Sequence, residues 1–278
     1  MSIITFWNNG KEQTGKTASI VAIATYMAIE HNNRILVIST GHKDEVLNNC
    51  FWKPKKEKKN MGIFGPNTND SMEEGITGLS KLVKSGRLSP EMITNYSKII
   101  FKDRLEILNS YEGTAQQYDE IKEVYLDIIK YANRYYDLVL VDLDSEMGTN
   151  LENEILKISD LIIANLSQRL TSIDTFLKIR QEKPILKSQK TIILIGRYDK
   201  FSKYTIKNIS RYMGEKNKVS TIPYNTLFFE ACEEAKVPDL FLRLRNINAD
   251  DRNAFFLAEI KRVVENIIYR LKDLQMKM

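Results

Sequence analysis

The most constraining feature of this sequence is the passage NNGKEQTGKT at 8–17, set between the apolar run SIITFW and the helix-forming stretch that continues as ASIVAIATYMAIEH. From Gly10 to Thr17 it fits the spacing G-x-x-x-x-G-K-[ST]. A strand, a loop held open by glycine and a helix, in that order, make a backbone cradle for phosphate. The loop N–H groups and the positive end of the helix then face one anion. Lys16 would reach the outer phosphate oxygens and Thr17 would ligate Mg²⁺, while Gln13, Thr14, Gly15 and Ala18 complete the surround. A second lysine, Lys11, and the pair Glu12 and Gln13 stand inside the loop, where a plain cradle needs no side chains.

The rest of the chain repeats the strand-then-helix rhythm. Continuous apolar runs occur at 2–7, 34–39, 105–109, 137–142, 160–165 and 190–196. Unbroken rather than alternating apolar runs belong to strands buried on both faces. Between two of them, QQYDEIKEVYLDIIKYANRY carries Ile121, Val124, Ile128, Ile129 and Ala132 near a helical period. Strands alternating with helices imply right-handed crossovers and a doubly wound, mainly parallel α/β sheet flanked by helices.

One nucleotide-binding domain over 1–278 accounts for this pattern, with an insertion at about 52–102. The insertion opens on KPKKEKK at 53–59 and continues through Gly, Pro and Asn, the composition of a mobile surface loop. Two short helices are expected after it, in SMEEGITGLSKLVKSG and in SPEMITNYSKIIF, the second with Ser at its cap and Pro at its first position. A final amphipathic helix is expected at about 250–276, with Phe256, Ile260, Val263, Ile267, Leu271 and Leu274 on one stripe. Such a stripe serves either a membrane surface or a helix packed on the sheet.

Composition excludes several classes. With 43% hydrophobic residues the 278-residue chain can bury a large core. Two cysteines far apart, Cys50 and Cys232, give neither a disulfide framework nor a thiolate metal site, and point to a reducing compartment. His31 and His42 have no paired ligands around them and are expected to be solvated. No run approaches the ~18 apolar residues of a membrane span and no signal-peptide layout opens the chain, so a cytoplasmic protein is expected. The net charge of +5 permits contact with nucleic acid or anionic membrane. The runs at 53–59 and in KFSKYTIKNISRYMGEKNK are the candidate surfaces, although Phe201, Tyr204 and Tyr212 in the latter also suit a core-facing helix.

The loop resembles the deviant Walker A motif of the ParA/MinD family of P-loop ATPases, in which a signature lysine follows the first glycine in K-G-G-x-G-K-[ST]. YDLVLVDLDSEMG is similar to that family's Walker B and switch II segment. DLIIANLSQRLTSIDTF is similar to its next strand and helix. IILIGRYDKFSKYTIKNISRYMG and VSTIPYN look closest to the CpaE/TadZ branch, whose members place pilus machinery at a cell pole. The resemblance implies ATP or ADP with Mg²⁺ as cofactors, with Asp142 holding the metal through water. It implies that Lys11 reaches the nucleotide of a second copy, so that ATP joins two chains as a homodimer. The implied partners are DNA bound without sequence preference, or a polar or membrane-associated protein, at the periphery of nucleoid or membrane.

Three departures qualify that resemblance. Glu12 and Gln13 replace two glycines. Gly196 stands where the family usually has an adenine-reading Asn, which leaves Arg197, Pro223 and Tyr224 beside the base. After the second strand the family commonly has D-x-D, one acid of which positions the attacking water, whereas this chain has Ser39 and Gly41. Asp44 and Asp144 are the candidate catalytic replacements, with Glu45 behind them, and each has the alternative of an ordinary surface acid. A missing water-orienting group can cost orders of magnitude in rate, so the expectation is a weak ATPase. The rival reading is a non-catalytic CpaE/TadZ-like localisation scaffold in which nucleotide is structural.

Overall fold

The computed structural model describes residues 1–10, 13–53, 75–215 and 219–277. Lys11, Glu12, residues 54–59 of the basic run and the basic residues at 216–218 lie outside the described residues. Eight strands form one sheet: β1 (Ser2–Trp7), β2 (Ile35–Ser39), β3 (Lys98–Phe101), β4 (Leu105–Leu108), β5 (Leu138–Asp142), β6 (Leu161–Leu166), β7 (Thr191–Tyr198) and β8 (Val219–Pro223). Their order is β3-β4-β2-β5-β1-β6-β7-β8, and every pairing is parallel except β3 with β4.

Helices cover both faces of the sheet. They are α1 (Lys16–Glu30), α2 (Val46–Asn49), α3 (Gly75–Lys84), α4 (Ala115–Ile121), α5 (Val124–Ala132), α6 (Thr149–Ile158), α7 (Leu170–Glu182), α8 (Ile206–Met213), α9 (Thr226–Glu233), α10 (Val237–Leu244) and α11 (Ala254–Gln275). Alternate residues of each strand enter opposite cores. Along β1, Ile3 and Trp7 join the core that holds Ile128, Leu156 and Phe176, whereas Ile4 and Phe6 join the one that holds Ile23, Phe241 and Ile260. Burial on both sides is what made the strands read as unbroken apolar runs.

β1 lies between β5 and β6, so the connections leaving it and its neighbour diverge to opposite sides of the sheet. In open α/β sheets that reversal leaves a crevice at the carboxyl ends of the strands. The register places Asp142 level with Phe6 of β1 on one side and Ser39 of β2 on the other. The loop leaving β1 therefore starts beside Asp142.

The structure corrects four local expectations. SPEMITNYSKIIF is not a helix: a 3₁₀ segment at Pro90–Asn95 is followed by β3, which closes a hairpin onto β4. The short connection 102–104 turns because Asp103 adopts φ 59, a left-handed conformation that Asp tolerates better than most residues. The periodic stretch read as one helix is two, α4 and α5. Thr114 and Gln117 form a capping box that starts α4. β8, assigned no element from the sequence, is the eighth strand. Among the described residues of the last basic stretch only α8 is helical, and Phe201 and Tyr212 are 87% and 52% exposed, so the core-facing alternative fails for both rings. The stripe of α11 is turned inward onto β8 and α1, with Phe256, Ile260, Val263, Ile267 and Leu271 buried.

Candidate functional site

Around the loop, geometry follows from two glycines in left-handed conformation, Gly10 at φ 72 and Gly15 at φ 74. At Gly15 a β-carbon would also lie 3.0 Å from Arg197 Cγ. Gly15 caps α1, its carbonyl accepting from Ser19 N at 2.9 Å. Asn8 braces the loop from within, donating from Nδ2 to Thr14 Oγ1 at 3.3 Å and accepting from Gly10 N at 3.3 Å. Gly15 thus joins the loop directly to the first turn of α1.

Lys16, Thr17 and Asp142 meet at one point. Lys16 Nζ lies 2.8 Å from Asp142 Oδ1 and also donates to the Leu143 carbonyl, and Thr17 Oγ1 donates to Asp142 Oδ2 at 3.0 Å. A hydroxyl and a carboxylate are hard oxygen donors of the kind that Mg²⁺ takes, and backbone N–H groups at a helix start are what a phosphate takes. The residues present therefore fit a magnesium nucleotide. Among the described residues no three His, Cys, Asp or Glu side chains are grouped to hold a metal by themselves. Such an ion would complete its shell from phosphate and water. At the base of the loop, buried Asn165 donates to Ser19 Oγ at 3.3 Å, and its Oδ1 has no hydrogen-bond partner.

The two candidate acids converge on Gly41. A β-carbon there would stand 3.2 Å from both Asp144 Oδ2 and Asp44 Cβ. Burial raises the Asp44 carboxyl above its ordinary value, and Asp142 and Asp144 push the same way against the Val46 N–H and Lys16. Each acid already serves its own backbone: Asp44 Oδ1 accepts from Val46 N at 3.0 Å, and Asp144 Oδ1 from Glu146 N at 2.6 Å. Glu45 is exposed at the start of α2.

No protein-family model matches this sequence, and no curated protein matches it. Solved structures do match the fold. A ParA family ATPase from Chlorobium tepidum TLS superposes with a TM-score of 0.67 at 17% identity, over 92% of this chain and 96% of that one. The septum site-determining protein MinD from Pyrococcus horikoshii OT3, solved with Mg-ADP, gives 0.64 at 14% identity over 96% and 97%. The fold is that of the ParA/MinD ATPases. A putative plasmid partition protein from Borrelia burgdorferi B31, bound to AMPPNP, also shares it, with a TM-score of 0.58 and 16% identity over 99% of this chain and 98% of that one.

Within this ParA/MinD-type fold the expected residues divide clearly. Gly10, Gln13, Thr14, Gly15, Lys16, Thr17, Ala18, Asp142, Asp44 and Asp144 all lie on or beside the loop. Arg197 joins them, at φ 50, with Nη1 3.4 Å from Gln13 Oε1. Pro223 and Tyr224 close β8 next to β7, Tyr224 N donating to Tyr198 O at 3.0 Å. His31 and His42 take no part in the site. His42 is not solvated: it is half-buried, stacked on Tyr118 at 5.4 Å, and its Nε2 meets the Gly113 carbonyl at 2.8 Å.

Sequence reasoning missed Thr40 and Tyr118. Buried Thr40 donates from Oγ1 to Asp142 O at 3.1 Å and accepts from Asp144 N at 2.9 Å, tying the segment after β2 to the one after β5. Tyr118 OH donates to Thr40 O at 2.6 Å. The capping box in TAQQ was a readable sign that α4 starts there, but nothing in the sequence announced that its tyrosine reaches Thr40.

Proposed function

We propose that this chain is an ATP-binding switch of the ParA/MinD type, which dimerises with ATP and positions or segregates a cargo while hydrolysing ATP slowly. The observation that carries this reading is the meeting of Lys16, Thr17 and Asp142 at the start of α1. Lys16 supplies a cation and the loop amides supply dipoles for the phosphates, in a site with little water to weaken them. Thr17 and Asp142 would hold Mg²⁺, whose chemistry is to neutralise charge on the phosphate oxygens. Lys11 would cross to the nucleotide of a second copy, Gln13 and Glu12 widening the loop at that interface. Arg197, Pro223 and Tyr224 would flank the base. Calorimetry with Mg-ADP and Mg-ATP tests the reading: wild type should bind and Lys16→Ala should bind far more weakly. Equal affinities would sink it.

A second reading is favoured by one observation. No acid stands at Ser39 or Gly41, and Asp44 and Asp144 each spend an oxygen on a backbone N–H. A non-catalytic scaffold of the CpaE/TadZ kind, cytoplasmic and peripheral to nucleoid or membrane, would need no water-orienting acid. A turnover assay with and without DNA separates the two.

A further inference from the structure

Among the described residues, the side chains of Lys16, Thr17 and Asp142, which would meet a magnesium nucleotide, are engaged with one another. Asp142 holds the Lys16 ammonium 2.8 Å from Oδ1 and the Thr17 hydroxyl 3.0 Å from Oδ2, and the Leu143 carbonyl accepts a further Lys16 proton. The lysine and aspartate side chains are only 10% and 3% exposed. A close pair so poorly hydrated is strongly coupled, and removing one partner leaves the other charge uncompensated.

We propose that Asp142 is a latch on Lys16, so that without a divalent cation the chain withholds its phosphate-binding cation from nucleotide. The proposal rests on the nucleotide reading above and names how that site is regulated. A phosphate that draws Lys16 away leaves Asp142 bare in a buried place. A hard divalent cation that takes Asp142 and Thr17 over releases Lys16 at no such cost. Nucleotide therefore binds tightly only once a metal holds Asp142, which millimolar metal does by itself, and metal-free nucleotide is rejected by the protein's own ion pair.

The test compares equilibrium ADP affinity, with Mg²⁺ and with chelator, for wild type, Asp142→Asn, Lys16→Ala and the double variant. Asp142→Asn should bind metal-free ADP severalfold more tightly than wild type does and should gain little from Mg²⁺. In the Lys16→Ala background the same change should alter metal-free affinity by no more than about twofold, because there is no latched cation to release. An equal gain in both backgrounds would mean simple relief of negative charge and would overturn the latch. So would Asp142→Asn binding metal-free ADP no better than wild type. If wild type fails to bind Mg-ADP at all, the nucleotide reading goes and the latch with it. A measurement on the unmutated chain is independent of variant folding. Acylation of the Lys16 amine, followed by peptide mass spectrometry, should accelerate when millimolar Mg²⁺ alone is added, and an unchanged rate would overturn the proposal.

Discussion

Gly196 of β7 lies directly against the carbonyl of Thr14, so close that a β-carbon at 196 would overlap the carbonyl oxygen. Asn165 Nδ2 stands 3.4 Å from the same position. Glycine is required here by space: no side chain fits while the loop rests on the strand. The space beside position 196 is thus filled by the loop itself.

Gly196→Ala should therefore lift Thr14 or bend β7. Forcing one methyl into a packed interior costs about 1–3 kcal/mol, which urea unfolding would register. The loop amides would move with Thr14, so ADP affinity should fall as well. Wild-type stability and affinity in this variant would mean that the loop does not rest on Gly196.

Asp44→Asn gives a pH signature. The folded-state pKa of Asp44 is raised above its unfolded value, chiefly by burial. The native state therefore holds this proton more tightly than the unfolded chain does. That contribution to stability is fully present below the ordinary aspartate pKa and is lost as pH rises through the raised one. The amide retains the oxygen that Val46 N–H donates to but cannot ionise. Relative to wild type the variant should be more stable at neutral pH, with the difference shrinking as pH falls through the raised pKa and gone once pH is below the ordinary aspartate pKa. Thermal melts across pH check this, and an offset that does not change with pH would refute it.

Thr40→Val keeps the shape of a buried side chain and removes both hydroxyl bonds, leaving the Asp144 N–H without its acceptor. An orphaned buried group of this kind costs about 1–3 kcal/mol. The segment carrying Asp144 should also loosen, seen as faster amide exchange at 144–147. Stability loss without faster exchange there would reduce Thr40 to packing.

Much of the site was legible because its residues are contiguous or close a strand. The loop spacing gave Gly10 to Thr17 directly, and an apolar run ending in an acid gave Asp142. Six of the eight strands were readable because two-sided burial writes itself as an apolar run. β3 escaped because Ile99, Ile100 and Phe101 are as compatible with a helix as with a strand, and only pairing with β4 decides between them. β8 escaped because Val219 and Ser220 at its start are only partly buried, at the sheet edge. Thr40, Tyr118 and the fit of Gly196 under Thr14 depend on contacts between distant segments, which no local pattern records. Lys11 is the opposite case: plain in the sequence, and outside the described residues.

The last prediction concerns the surface around α8. Lys200, Lys203, Lys207 and Arg211 are exposed there together with Phe201 and Tyr212. Lys200 Nζ lies 5.2 Å from the Phe201 ring centre and 4.9 Å from that of Phe255, which holds the ammonium at the surface. If this surface meets a DNA backbone, binding in the presence of ATP should be indifferent to sequence and should fall steeply with salt, because each neutralised phosphate releases counterions. Replacing Lys200, Lys203 and Lys207 by Glu should weaken binding to every sequence alike. It should also flatten the plot of log affinity against log salt by about 0.9 for each lysine that meets a phosphate. Gel shifts that stay flat at low salt with ATP present would remove DNA as the cargo. Binding that survives the triple change with an unaltered salt slope would move the contact elsewhere on the chain.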